Sequence, residues 1–154
     1  MSESTNTQPG QRTAGRPEPA VGGVRGAGRA TLPPLLMLYL GLGVVQIFLA
    51  GLGVFALDGE QLGGADETAF GPHRFVGTLM ALVALLVVIA AAIARPGRQV
   101  VIMAVVLFLL VSVVQTVLAT AGEDTALFGG LHAIVGIGSL GLAGRMLGVT
   151  RPVR

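Results

Sequence analysis

Four long apolar segments constrain this chain more than any other feature. They cover residues 35–57, 75–94, 100–120 and 131–149. Each is close to the roughly 20 residues that an α-helix needs to cross about 30 Å of hydrocarbon. The segments are continuous rather than alternating, and a barrel of so few strands could not close in lipid. The sequence therefore predicts an all-α membrane protein, in which four transmembrane helices form an up-down bundle.

The composition supports this class and separates a tail from the helices. Hydrophobic residues make up 53% of the chain, charged residues 12%, and the mean hydropathy is +0.80, which is unlike a soluble domain. Residues 1–30 are rich in Pro, Gly, Ser, Thr and Arg and predict a disordered cytoplasmic tail. Residues 31–154 are then the four-helix transmembrane domain, with Pro33 and Pro34 in the first turn of its first helix.

The basic residues predict the orientation in the membrane. Lysine is absent. Nine of the ten arginines lie before the first helix, between the second and third helices, or at the C-terminal end of the sequence. The other two loops are acidic. Because basic residues concentrate in cytoplasmic loops, both termini are expected in the cytoplasm of a bacterial cytoplasmic (inner) membrane. This topology explains the arginines without nucleic-acid binding, and the absence of cysteine excludes disulfides and thiolate metal sites.

Two stretches of the chain nearly copy each other. Each begins with Val-Val-Gln, continues through a short acidic-Thr-Ala segment, and ends with a histidine that a glycine follows four residues later. The copies predict two duplicated helical hairpins related by an axis along the membrane normal. The second and fourth helices then lie on a diagonal of the bundle, and the two histidines of the protein face each other near its outer surface. The matched residues are Gln46, His73 and Gly77 in the first copy and Gln115, His132 and Gly136 in the second.

Two opposed imidazoles in a helical bundle are typical of a bis-histidine haem site, in which the iron takes one nitrogen from each face of the ring. His73 and His132 are the candidate metal ligands. Gly77 and Gly136 lie one turn deeper, where a larger side chain would meet a flat ring, and further small residues follow at Ala81, Ala84, Ser139 and Ala143. Other interpretations stay open. The histidines are solvated or capping residues, or serve a proton or a metal, and the small residues only pack helices, as the Gly144-x-x-x-Gly148 pattern does.

Three polar residues accompany the histidines. Gln46 and Gln115 are expected within the hydrocarbon region, where an amide bonds across helices or orients a histidine or haem edge. By simple counting Gln115 is better placed than Gln46 for a histidine contact. Arg74 directly follows His73 and would pair with a haem propionate or with Asp66 or Glu67.

The same residues resemble one half of the haem A synthase family. The resemblance is carried by the Val-Gln-Ile-Phe-Leu-Ala-Gly segment at 45–51, by His73-Arg74, by Gln115 and by Leu131-His132. It implies a four-helix unit with a haem-ligating histidine pair at the outer ends of the second and fourth helices. That family has a glutamate shortly before the first histidine and often a cysteine pair, whereas Phe70-Gly71-Pro72 stands here and cysteine is absent. The resemblance therefore does not extend to the family's oxidative chemistry.

These patterns lead to two hypotheses. The first is a membrane protein that binds one b-type haem (haem b) through His73 and His132 for electron transfer or haem handling. The second is a cofactor-free membrane scaffold or assembly factor. The lipid bilayer is the expected surrounding in both, and a redox partner, a quinone, a homo-oligomer and an enzymatic activity stay undecided.

Overall fold

The protein is described by a computed structural model, which defines residues 23–56 and 67–151. This part of the chain is helical apart from short connections. All four helices are long and apolar enough to cross a membrane, so the predicted all-α membrane class is confirmed at this level. They are α1 (Val24–Ala56), α2 (Glu67–Ala94), α3 (Arg98–Asp124) and α4 (Ala126–Thr150).

The first helix begins earlier than the sequence predicted. Residues 24–30 were assigned to the tail, but they are helical, so Pro33 and Pro34 lie inside α1 rather than in its first turn. The added turns pack against the end of α2, where a Cβ on Gly28 would stand 2.8 Å from the backbone nitrogen of Ala94. This contact gives the first turns of α1 a packing partner on α2, and the sequence pattern does not reveal it. Residues 1–22, which include the rest of the predicted tail, lie outside the described part.

The third helix contains one irregular turn. Residues Leu110–Val114 form a π-helical turn, which is followed directly by Gln115. Such a turn holds one more residue than a regular helix would, and one residue corresponds to a rotation of about 100°. The turn therefore sets the direction in which Gln115 leaves the helix axis.

The helices form a ring in which consecutive helices pack against each other and α1 also packs against α4. Across residues 23–56 and 67–151, the pairs α1/α3 and α2/α4 make no direct backbone contact and thus lie on the diagonals. Neighbouring helices are antiparallel. Gly28 lies near Ala94 and Gly53 near Phe70 at opposite ends of the first hairpin. The diagonal placement of α2 and α4 agrees with the sequence prediction.

The core occupies only one half of the bundle. We call residues 24–42, 80–107 and 139–151 the arginine half, and residues 43–56, 67–79, 108–124 and 126–138 the histidine half. Every fully buried side chain of the described residues lies in the arginine half, including Tyr39, Leu107 and Met146, each 0% exposed. Large apolar side chains are exposed on all four described helices, as lipid contact requires; Phe48 and Ile134 are 63% and 67% exposed.

Candidate functional site

The structure brings the two histidines together. His73 and His132 are each the seventh residue of their helices, α2 and α4. Their ring centroids are 6.2 Å apart across the bundle, and the ring planes are inclined by 53°. The sequence placed each histidine at a helix start, but both helices begin six residues earlier. Each imidazole therefore lies beyond the first turn of its helix, to which the effect of the helix dipole is confined.

Backbone carbonyls hold both imidazoles in the same way. The Nδ1 of His73 lies 3.1 Å from the carbonyl oxygen of Gln46, and the Nδ1 of His132 lies 3.1 Å from the carbonyl oxygen of Gln115. A carbonyl can only accept, so each Nδ1–H donates and each neutral ring carries its lone pair on Nε2. Metal-binding histidines commonly have this arrangement, with the other ring nitrogen fixed by a carbonyl.

The glutamine side chains differ between the two hairpins. The Nε2 of Gln46 donates to the Nε2 of His73 at 3.1 Å. No such bond joins the Gln115 side chain to His132 within the described residues. The sequence favours Gln115 for a side-chain contact with a histidine, but the structure shows that contact at Gln46 instead. A π-helical turn directly precedes Gln115 and changes the direction in which its side chain leaves α3, whereas α1 is a regular α-helix through Gln46.

Both glutamine amides also have unused hydrogen-bonding capacity. Gln46 Oε1 and Gln115 Oε1 are buried, and neither has a hydrogen-bond partner in the described part of the chain. Buried polar atoms are nearly always paired in native proteins. Together with the Nε2 of His132, these atoms give the histidine half an excess of lone pairs, which suits a metal or a hydrogen-bond donor.

The glycines below the histidines make room for the glutamines. A Cβ on Gly77 would stand 3.2 Å from the Nε2 of Gln46, and a Cβ on Gly136 would stand 2.8 Å from the Nε2 of Gln115. The sequence predicts that a flat haem ring occupies this space, whereas the structure shows the glutamine amides there. Three of the four small residues predicted to continue the pocket are buried in the arginine half: Ala84, Ser139 and Ala143.

A second equivalent contact, which the sequence reasoning missed, lies nearer the histidine end of each hairpin. A Cβ on Gly53 would stand 2.6 Å from the ring of Phe70, and a Cβ on Gly122 would stand 3.0 Å from the nitrogen of Gly129. In both hairpins the glycine, Gly53 or Gly122, follows the glutamine by seven positions. Its partner, Phe70 or Gly129, precedes the histidine by three. Equal offsets in the two copies were the available signal. Phe70 also lies edge-on to His73, with ring centroids 6.3 Å apart.

Arg74 joins two helices at the same end of the bundle. Its Nη2 donates to Glu123 Oε1 at 3.3 Å, which links α2 to the end of α3. The sequence predicts Asp66, Glu67 or a haem propionate as the partner of Arg74. Asp66 and the side chain of Glu67 lie outside the described residues, so that expectation stays a prediction.

Comparison with known proteins gives one match. Residues 46–121 match the model of a family of unknown function, DUF6220. The matched region includes Gln46, His73 and Gln115 and ends before His132. No curated protein matches the chain, and no solved structure matches it. These comparisons do not link the chain to the haem A synthases, and they identify it as similar to DUF6220 over about half of its length.

Proposed function

We propose that this membrane protein binds one b-type haem between α2 and α4 through the Nε2 atoms of His73 and His132. The observation that carries the proposal is the 6.2 Å between the ring centroids. Two metal–nitrogen bonds of about 2 Å, plus roughly 1 Å from each nitrogen to its ring centre, give about 6 Å. The centroid separation therefore matches that of two rings whose Nε2 atoms both face a metal between them.

Two further features support the proposal. Both histidines have the tautomer that leaves Nε2 as an acceptor, because a backbone carbonyl takes the Nδ1–H. The histidine half contains no fully buried side chain among the described residues, so a bound group would supply the packing that this half lacks. A b-type haem supplies one-electron transfer, and the chain's own residues would orient and enclose it for electron transfer or haem handling.

Duplication is part of the same proposal. The Nδ1-to-carbonyl bonds, the glycine-to-glutamine contacts and the contacts of Gly53 and Gly122 recur at matched positions in both hairpins. Such agreement is expected when two hairpins of common origin are related by a half-turn around the bundle axis. The half-turn would place His73 over His132 and Gln46 over Gln115. The resemblance to a half of the haem A synthase family is consistent with this origin.

We also propose the orientation in the membrane. The described arginines other than Arg74 lie at the end of the bundle opposite the histidines. By the positive-inside rule this end faces the cytoplasm of a bacterial inner membrane, and the histidines lie near the outer face. A haem bound there would be accessible to partners outside the cytoplasm.

One observation favours a second function, a cofactor-free scaffold or assembly factor. The Nε2 of His73 already has a hydrogen-bond partner, Gln46, within the protein. In this case the histidines and glutamines only tie the helices together, as polar residues do in membranes.

Purified protein distinguishes the two functions. Full-length protein is isolated in detergent, supplied with haemin, and measured for a Soret band. His73→Ala and His132→Ala should abolish or shift the band. Thr78→Ala is the matched control on α2, because its exposed hydroxyl bonds only to the carbonyl of Arg74 in its own helix. A colourless wild-type protein, or unchanged spectra in both histidine variants, would overturn the haem proposal.

A further inference from the structure

The two hairpins hold their histidines with one difference. Both imidazoles donate Nδ1–H to a glutamine carbonyl at 3.1 Å. Only His73 also accepts a bond at Nε2, from the side-chain amide of Gln46. Within residues 23–56 and 67–151, the Nε2 of His132 has no hydrogen-bond partner.

This difference affects metal binding directly. The single lone pair of an imidazole Nε2 cannot accept the Gln46 N–H and bind a metal at the same time. His73 is therefore unready for ligation until the amide leaves, whereas His132 is ready. The bond from Nδ1 goes to the backbone of Gln46 rather than to its side chain, so this bond does not depend on the position of the amide.

The Gln46 side chain is held beside His73 by one hydrogen bond. Its Oε1 has no partner within the described residues, so the bond to His73 is the side chain's one described hydrogen bond. Gly77 lies on its other side, where a Cβ would stand only 3.2 Å from the Gln46 nitrogen. The amide is thus confined by packing and held by one bond.

We infer that ligation would be ordered: His132 would bind first, because its Nε2 accepts no described hydrogen bond, and Gln46 would hold the Nε2 of His73 until its amide moves away. Gln46 is a positioning residue that weakens the second ligation. The inference rests on the proposed haem site and adds to it an order of binding and a residue that controls it.

The test compares Gln46→Leu with Gln115→Leu in the full-length protein. Both variants remove an amide at matched positions, but only Gln46 bonds to a histidine side chain. In haemin titrations followed by absorbance, Gln46→Leu should raise the affinity by about threefold to about 15-fold, the range expected for one interhelical hydrogen bond in a membrane. Gln115→Leu should not raise it. Gln46→Asn, whose amide is too short to reach, should behave like Gln46→Leu and covers the case in which leucine impairs folding.

Two other readouts are independent of the affinity. His73→Ala should still bind haemin and give the spectrum of iron with one histidine ligand, whereas His132→Ala should lose most binding. In the metal-free protein, the nitrogen NMR signal of His73 Nε2 should shift in Gln46→Leu and stay in place in Gln115→Leu.

The outcomes separate the two proposals. If wild-type protein gives no Soret band at saturating haemin, the haem site itself is refuted. If the band forms, but Gln46→Leu and Gln115→Leu change the affinity equally, or His132→Ala binds haemin better than His73→Ala, the ordered ligation is refuted and the haem site stands.

Discussion

The hydrogen bond between Tyr39 and Ser139 gives a prediction whose sign can be worked out from its protons. The two oxygens are 2.9 Å apart and join α1 to α4, with Tyr39 0% and Ser139 2% exposed. The Ser139 hydroxyl also contacts the carbonyl of Gly136 at 2.7 Å, where it must be the donor. The serine's one proton is therefore used, and the Tyr39 hydroxyl donates to Ser139 Oγ.

The two single substitutions should consequently have unequal costs. Ser139→Ala removes the acceptor and leaves a buried tyrosine donor unpaired, which costs roughly 1–3 kcal/mol of the free energy of unfolding. Tyr39→Phe removes one bond and leaves Ser139 bonded to Gly136, so it should cost about 0.6 kcal/mol, the average for such bonds in membrane proteins. Adding Tyr39→Phe to Ser139→Ala should restore stability, because it removes the unpaired hydroxyl.

The measurement is unfolding of the purified protein in mixed micelles by denaturing detergent. Thr31→Ala is the control, since that exposed hydroxyl donates to Ala27 within its own helix and should change stability by less than about 0.5 kcal/mol. Equal costs for Ser139→Ala and Tyr39→Phe, or a double variant less stable than Ser139→Ala, would contradict the assigned donor.

Three more predictions concern the site and the membrane. Nitrogen NMR of the metal-free protein should find both His73 and His132 as the Nδ1–H tautomer, since a carbonyl accepts from each; a protonated Nε2 in either would contradict the geometry. Arg74→Gln or Glu123→Gln should lower the free energy of unfolding by less than about 1 kcal/mol, because the pair is 48% and 56% exposed, and salt should reduce the loss further. A reporter fused to the C-terminus should be active only in the cytoplasm, and an outward reporter would reverse the proposed orientation.

The sequence by itself determined the number of helices and the diagonal that carries the histidines. Four apolar runs of membrane-spanning length allow little besides four helices, because lipid leaves no partner for unpaired backbone groups. Short connections then make consecutive helices neighbours in a ring, so α2 and α4 have to lie opposite one another. The matched positions of His73 and His132 in two similar stretches of the sequence followed from the residues alone.

Only the tertiary structure decided how each helix ends and what each polar group contacts. The start of α1 at Val24 depends on packing against α2, and the direction of Gln115 depends on a π turn that no residue pattern marks. The Gln46 amide lies beside Gly77 and bonds to His73, although counting along the chain favoured Gln115. Periodicity fixes which face a side chain occupies. Its hydrogen-bond partner depends on depth and rotation relative to a neighbouring helix, and these are set by packing between helices distant in sequence.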